Sequence, residues 1–330
     1  MPPYRPRVAG RALHPHSSAN AVAFRAFALM LLSLLTVACG GRQTRRDPNP
    51  VILGPGHLVA IGGGRSLYLH CEGTGSPTVI LEAGFGGNSN DWSEVQGPLG
   101  RATRTCAYDR AGLGNSLPIP GVHDAADEIA DLTRLLDDAD MPPPYVLVGH
   151  SYGGLLMRLF AHADPFDTAG IVLVDSMGRN QDRRLRAIWQ AQPAQVRRQV
   201  TDPTAYPVQD GVDLLAGEAL DAKVRTLGDT PLVVITRGRL LDTAPQTLPP
   251  TMRAPVAHLW ETMQNELAAL SSDRIHAIAL RSGHFVQRSP DGQPDVVIDA
   301  VLAIIHAVRT HAHLPPCPSV FHGAGVQCRS

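Results

Sequence analysis

One short segment, residues 145–160 with the sequence YVLVGHSYGGLLMRLF, constrains the fold of this chain more than any other. It begins with the strand-forming run Tyr145–Val148 and ends in an apolar run typical of a helix. Between the two, Gly149 and Gly153 stand two positions on either side of Ser151, in the pattern G-x-S-x-G. A serine on a sharp strand-to-helix turn needs small residues there, because larger side chains would collide with neighbouring backbone. The segment therefore predicts a strained turn that exposes the serine hydroxyl.

Short apolar strands alternate with helical patterns along the rest of the chain. The candidate strands around YVLVG are PTVILEAG, TRTCAYD, GIVLVD, TPLVVIT and RIHAIAL. Strands that are apolar on both faces and alternate with helices are typical of a mostly parallel sheet covered on both sides. Two further runs, HLVAI and RSLYLHCEG, flank three glycines and predict an antiparallel hairpin at one edge. The predicted fold class is α/β, with eight strands and helices on both faces.

A change of pattern divides the chain into regions. Residues 177–228 contain the polar helical stretch NQDRRLRAIWQAQPAQVRRQV, and no strand pattern follows it. This region is predicted to be a small helical cap inserted into a core formed by residues 51–176 and 229–312. Residues 313–330 are predicted to be a C-terminal tail.

A general base for Ser151 is predicted at His284. The segment LRSGHFVQRSP follows the strand RIHAIAL and precedes the last helix, so His284 lies at the carboxyl end of a strand. Open parallel sheets place their chemistry at that edge. Among the histidines after Ser151, His284 is the only one in such a position. His150 stands beside the serine, but the turn is expected to point it elsewhere, in a packing role.

Two aspartates compete for the role of the acid behind His284. Asp175 ends the strand GIVLVD, and Asp242 follows the next strand. Both lie between the serine and the histidine in the sequence. This matches the order nucleophile, acid, histidine that is typical of enzymes with a G-x-S-x-G turn between a strand and a helix. Asp175 is favoured because it leaves its strand directly, near the nucleophile strand. Asp242 is the alternative, although the spacing from Gly238 is one residue longer than the usual G-x-x-D.

An oxyanion is expected to be held by two backbone N–H groups. Tyr152, the residue after the nucleophile, offers the first. The glycine-rich loop EAGFGGNSNDW offers the second, and Phe85 is the best donor because it follows Gly84 at the strand end. Gly86 is the runner-up for this second donor.

The segment YDRAGLGNS contains an aspartate–arginine pair beside glycines. Asp109 precedes Ser151 in the sequence and does not fit the role of the acid. The pair of Asp109 and Arg110 is expected to be structural and to fix its loop by hydrogen bonds and an ion pair.

Taken together, six segments resemble the α/β-hydrolase superfamily, in its serine esterase and lipase-like branch. They are LEAGFGG, YDRAGLGNS, GHSYGG, IVLVDS, PLVVITRG and SGHFVQ, which occur in this order over roughly residues 57–310. The resemblance implies the strand order 1-2-4-3-5-6-7-8 with strand 2 antiparallel. It also places Cys71 and Cys106 on neighbouring strands, where they can bridge. The sequence departs from the family in the EAG segment, where many members have His-Gly, and in the missing G-x-x-D.

The resemblance implies a catalytic function. A serine nucleophile favours acyl transfer to water, so the expected activity is hydrolysis of a small-molecule carboxylic ester through an acyl-enzyme, with no cofactor and no metal. Alternatives on the same fold are a peptidase, a thioesterase, a C–C hydrolase or a perhydrolase. A further alternative is a non-catalytic binding protein. The net charge of −1 gives no reason to expect a nucleic-acid partner. The sequence does not predict an oligomeric state.

The first 50 residues have the features of an export signal and a polar tether. Four arginines precede a 13-residue apolar run, AFALMLLSLLTVA, which is too short for a spanning helix but suits a signal peptide. The run ends at Cys39, and TVAC resembles a bacterial lipobox. We therefore expect export to the periplasm or cell envelope, with lipidation at Cys39 as a membrane tether.

Export bears on the remaining cysteines, because an oxidising compartment permits disulfides. Cys317 and Cys328 flank a short segment with proline and glycine and can close a local loop. The alternative for Cys71 and Cys106 is two buried free thiols.

Overall fold

Nine strands form one sheet in the computed structural model of the protein, which describes residues 56–198, 202, 208–209, 211–239, 248–321, 323 and 325–329. We number these strands β1 (His57–Ala60), β2 (Ser66–Glu72), β3 (Thr78–Glu82), β4 (Thr105–Tyr108), β5 (Tyr145–His150), β6 (Thr168–Val174), β7 (Leu232–Arg237), β8 (Arg274–Ala279) and β9 (Val326–Arg329). Their order across the sheet is β1-β2-β4-β3-β5-β6-β7-β8-β9. The pairs from β4 to β8 are parallel, whereas β1–β2, β2–β4 and β8–β9 are antiparallel. The predicted mostly parallel sheet is confirmed.

Helices cover both faces of this sheet. A 3₁₀ turn at Ser89–Trp92 precedes the nine helices of the described ranges, which are α1 (Ser93–Gly100), α2 (Ala125–Asp138), α3 (Tyr152–Ala163), α4 (Gln181–Gln190), α5 (Ala194–Arg197), α6 (Leu214–Asp221), α7 (Pro250–Ala268), α8 (Pro294–Thr310) and α9 (Cys317–Val320). Alternate residues of β5 serve the two faces. Leu147 joins the apolar cluster with α2 and α3, and Val146 and Val148 join the cluster with α1 and α8. This period of two explains why the strand is apolar throughout.

The insertion after β6 contains more than the predicted helices. Helix α4 packs on α7 through Leu185 and Ile188, while α6 lies against α2 and α3. A short hairpin pairs Val208–Gln209 with Val212–Asp213, so the insertion is not purely helical. Two-residue strands are too short to produce an alternating pattern in the sequence.

The sequence predicted that the C-terminal segment is a tail, but in the structure this segment contains a strand of the main sheet. Strand β9 pairs with β8 along His276–Ala279, and a disulfide joins Cys317 to Cys328. The expected count of eight strands is therefore one too low. Without β9, β8 would expose an unpaired edge of the sheet. The sequence did not predict β9 because a four-residue polar strand gives almost no sequence signal.

The other disulfide of the described residues joins Cys71 on β2 to Cys106 on β4, which face each other in the register of the two strands. The predicted signal, tether and lipidation at Cys39 lie outside the described residues and stay predictions. No helix in the described ranges has both the length and the apolar character needed to cross a bilayer.

Candidate active site

Ser151 lies on the turn between β5 and α3 with a backbone conformation that few side chains adopt. Its φ is 53° and its ψ is −119°. The glycines of the motif make this turn sterically feasible. A Cβ on Gly149 would come within 2.5 Å of the Gly153 carbonyl oxygen, and one on Gly153 would come within 2.5 Å of the Glu82 carbonyl oxygen. The backbone therefore approaches closely around the serine, as the G-x-S-x-G motif predicts.

Backbone hydrogen bonds hold the strained serine in place. The Ser151 N–H donates to the carbonyl of Val174 at 3.1 Å. Its own carbonyl accepts from the amides of Met177 at 2.9 Å and Gly154 at 3.0 Å, and from the hydroxyl of Ser176 at 3.3 Å. Strain of this kind persists only where the surroundings over-determine it, and it gathers at functional sites.

His284 and Asp175 form the closest polar contact behind the serine. The Nδ1 atom of His284 lies 2.6 Å from Oδ2 of Asp175. His284 is 23% exposed while Asp175 is completely buried, so the imidazole forms the boundary between solvent and the carboxylate. An open cleft of about 360 Å³ is lined by the loop 84–88, by Ser151 and by His284. The serine and the histidine therefore share one cleft, with the aspartate beneath it.

Two elements, β7 and α7, position Asp175. The Arg237 backbone N–H at the end of β7 donates to Oδ1 at 3.1 Å, and the Trp260 indole N–H from α7 donates to the same oxygen at 3.0 Å. Arg237 Nε lies 3.2 Å from Oδ2. Burial by itself would raise the pKa of Asp175, but the charge of Arg237 and the hydrogen bond from His284 outweigh it, so this pKa is lowered. The carboxylate is therefore ionised and oriented toward the imidazole.

His150 packs behind the loop that carries His284. Its Nε2 donates to the backbone carbonyl of His284 at 2.9 Å, and the two rings lie 4.6 Å apart. Burial and the nearby His284 lower the pKa of His150 to about 3. His150 is thus a neutral imidazole that ties β5 to the loop of His284, in agreement with the packing role predicted for it.

The two predicted oxyanion donors lie at the same end of the sheet as the cleft. Phe85 lines the cleft directly, and Tyr152 is the first residue of α3, next to Ser151. Among the residues that the structure describes, no protein acceptor binds the backbone amide of either residue. The Gly87 amide donates to the Gly84 carbonyl at 3.1 Å and closes a tight turn that also holds Gly86. Gly86 also lines the cleft and stays the alternative second donor.

A family model described as the alpha/beta hydrolase family matches residues 79–300, which is more than half of the chain. This chain belongs to the alpha/beta hydrolase family. The match spans the serine turn, Asp175 and His284, so the elements that carry the candidate site are those the family shares. Within the described part of this alpha/beta hydrolase, no group of three or more His, Cys, Asp or Glu side chains is spaced to hold a metal ion.

Individual relatives are similar over shorter stretches. The uncharacterised protein YqjL of Bacillus subtilis is 35% identical over 32% of this chain and 42% of its own length. A putative carbamate hydrolase, RutD of Azorhizobium caulinodans, is 31% identical over 36% of this chain and 44% of its own length. The chain thus spans less than half of these two relatives. Among solved structures, a thermophilic esterase of Thermogutta terrifontis is 20% identical, with a TM-score of 0.53 over 77% of this chain and 99% of that one. That likeness shows the fold alone.

Some residues around the site of this alpha/beta hydrolase gave no sequence signal. Arg237 and Trp260 reach Asp175 from distant segments, which no motif links. Asp109 accepts from the amides of Ser89 and Asn115, each at 2.7 Å, so it fixes loops as expected. Arg110 does not pair with Asp109 but with two glutamates. The alternative acid, at position 242, lies outside the described residues.

Proposed function

We propose that this protein is a serine hydrolase that cleaves carboxylic esters through an acyl-enzyme, with Ser151 as nucleophile, His284 as general base and Asp175 as the acid. The observation that carries the proposal is the 2.6 Å contact between His284 Nδ1 and Asp175 Oδ2 at the cleft that also holds Ser151. A carboxylate on Nδ1 fixes the tautomer that leaves Nε2 free to accept a proton. Membership of the alpha/beta hydrolase family supports the same reading.

The proposed reaction has two half-steps. His284 Nε2 takes the hydroxyl proton of Ser151 while the serine oxygen attacks the ester carbonyl, and the backbone amides of Phe85 and Tyr152 bind the oxyanion. The C–O bond to the leaving alcohol breaks as His284 returns the proton to that oxygen. Water then attacks the acyl-enzyme, again with His284 as base, and the acid product leaves with Ser151 restored. Asp175 stays ionised and stabilises the imidazolium in both steps.

A second candidate function, cleavage of a carbamate, is favoured by the likeness to the putative carbamate hydrolase RutD. The same serine, base and oxyanion donors would attack a carbamate carbonyl, and the leaving group would be an amine or an alcohol. The two candidates are distinguished by substrate preference and not by the catalytic residues.

The proposal is tested with p-nitrophenyl acetate, butyrate and octanoate, and with a p-nitrophenyl N-alkyl carbamate and a thioester of matched size. We expect ester turnover by the wild type and a loss of roughly 10⁴-fold or more in Ser151→Ala, because the nucleophile is gone. A fluorophosphonate probe should label the wild type at Ser151.

Ser272→Ala is the matched control, since Ser272 is an exposed serine in the turn before β8. It should keep full activity and full labelling. Equal ester turnover in wild type and Ser151→Ala would contradict the proposed nucleophile. Labelling of Ser151 with turnover of the carbamate or the thioester alone would keep the nucleophile and replace the ester.

A further inference from the structure

A buried arginine lies directly beneath the loop that offers the second oxyanion donor. Arg110 is 4% exposed and comes from the loop that follows β4. Its NH1 group donates to the Ala83 carbonyl at 2.8 Å, and its NH2 group donates to the Gly84 carbonyl at 2.8 Å. Two consecutive carbonyls directly after β3 are therefore held by one planar guanidinium.

The Gly84 carbonyl and the Phe85 N–H belong to the same peptide unit. That unit is planar and trans, so its C=O and N–H point in opposite directions and cannot turn independently. Arg110 holds this carbonyl from the buried side, and the Gly87 amide holds it within the turn. Together they fix the direction of the N–H of Phe85, a residue that lines the cleft. A hydrogen bond from a cation also polarises the peptide and makes its N–H a stronger donor.

Two glutamates hold Arg110 in this position. Glu82, the completely buried last residue of β3, accepts from Arg110 NH1 and from the Tyr108 hydroxyl. Glu128 of α2 lies 3.2 Å from Arg110 Nε and accepts from the Tyr152 hydroxyl at 2.6 Å. The same ionic cluster therefore touches both candidate donor residues: it holds the peptide of Phe85 through Arg110, and the side chain of Tyr152 through Glu128.

We propose that Arg110 is a positioning residue for the oxyanion hole, which aims and polarises the Phe85 N–H through the shared Gly84–Phe85 peptide. This inference rests on the proposed function, because it gives the peptide a role only if an oxyanion forms at Ser151. The proposal gives the arginine of YDRAGLGNS an indirect role in catalysis, through the Gly84–Phe85 peptide. The sequence indicated a purely structural role for this residue.

Arg110→Lys is the informative variant. Lysine keeps the positive charge but replaces the planar fork by a single ammonium, which cannot hold both carbonyls in the same geometry. Removal of a complete oxyanion donor typically lowers kcat by about 10²- to 10³-fold. For a misaimed donor we expect kcat to fall by about 10- to 100-fold with KM changed by less than about threefold, since the oxyanion exists only in the transition state.

Three further measurements separate this role from simple stabilisation. Arg65→Lys is the matched control, because Arg65 pairs with Asp131 on α2 outside the cleft, and its kcat should not change. Glu128→Gln removes the charge beside Arg110 but keeps an acceptor, and we expect kcat to fall by about three- to tenfold at constant KM. The rate of fluorophosphonate labelling at Ser151 should fall in parallel with kcat, because phosphonylation uses the same donors.

The proposal is overturned if folded Arg110→Lys keeps kcat and labelling rate within about twofold of wild type, or if Arg65→Lys loses as much. If Arg110→Lys does not fold, an unchanged kcat in Glu128→Gln overturns it. Labelling of wild-type Ser151 without ester turnover would refute only the ester function, and the variants would then be compared by labelling rate. No labelling of the wild type would refute the nucleophile and this inference together.

Discussion

Asp175 shows how a single buried carboxylate is kept ionised and oriented. It is completely buried and has a φ of 42°, a conformation that aspartate tolerates better than most side chains. A buried carboxylate without partners would take up a proton at neutral pH. Here the indole N–H of Trp260 and the groups of Arg237 satisfy it, and they leave Oδ2 directed at His284. The carboxylate thus keeps both its charge and its direction.

The choice between the two candidate acids gives a prediction at the level of the residue. Asp175→Asn keeps the size of the side chain but presents the wrong hydrogen-bonding group to His284 Nδ1, so the tautomer needed for catalysis is lost. We expect kcat for a p-nitrophenyl ester to fall by about 10³- to 10⁴-fold. Asp242→Asn is the comparison and should change kcat by less than about twofold. The reverse result, a large loss in Asp242→Asn alone, would make Asp242 the acid.

The sequence predicted the serine and the histidine as candidate site residues because both stand in local patterns at strand ends. It left the acid open because Asp175 and Asp242 satisfy the same chain order. The support for Asp175 is three-dimensional: it contacts His284, and its partners Arg237 and Trp260 lie 62 and 85 residues away in the chain. Contacts of that separation leave no periodicity or spacing in a single sequence.

At the level of the element, the core strands were predictable and the added edge was not. The parallel strands are apolar on both faces, which is a strong signal. Strand β9 has only the residues VQCR and alternates between half-buried and exposed positions. Its pairing with β8 depends on a segment returning from α8 through α9, which the disulfide between Cys317 and Cys328 closes. Closure of this kind is a property of the connection and not of the strand.

This closure predicts how β9 depends on the disulfide. Removal of both sulfurs in the double variant Cys317→Ser, Cys328→Ser frees a short loop, and we expect the free energy of unfolding to fall by about 2–3 kcal/mol. Ester turnover at 25 °C should stay within about twofold, because β9 lies at the sheet edge beyond β8 and does not line the cleft. Urea unfolding followed by circular dichroism, with turnover measured on the same samples, checks both parts. A folded variant without activity would show that the edge strand also supports the site.

At the level of the whole molecule, buried histidines and buried glutamates change the stability of the native state in opposite directions as the pH falls. Burial lowers the pKa of His150 to about 3 and of His276 to about 4. Burial also raises the pKa of Glu82 and of Glu218 to about 7, against the lowering effect of their hydrogen-bond partners. Between pH 4.5 and 6.5 the histidines make the native state less stable as the pH falls, whereas the glutamates make it more stable. The pH dependence of the wild type is therefore a difference of opposing contributions, which a single-site variant can separate.

His276 is the suitable group, because it lies on β8 away from the cleft and hydrogen-bonds Thr236 at 2.8 Å. Its pKa is lowered by burial first and by the charge of Arg329 second. Below pH 6.5 the unfolded chain binds a proton at this position, whereas the native state binds it only near pH 4. The free energy of unfolding therefore falls by up to about 1.4 kcal/mol for each pH unit between these values. His276→Gln keeps a polar partner for Thr236 but does not titrate. Its free energy of unfolding should be lower than that of the wild type at pH 7.5, and the gap should close steadily toward pH 4.5. A gap that stays constant in urea titrations across this range would mean that His276 is protonated in the native state as readily as in the unfolded chain.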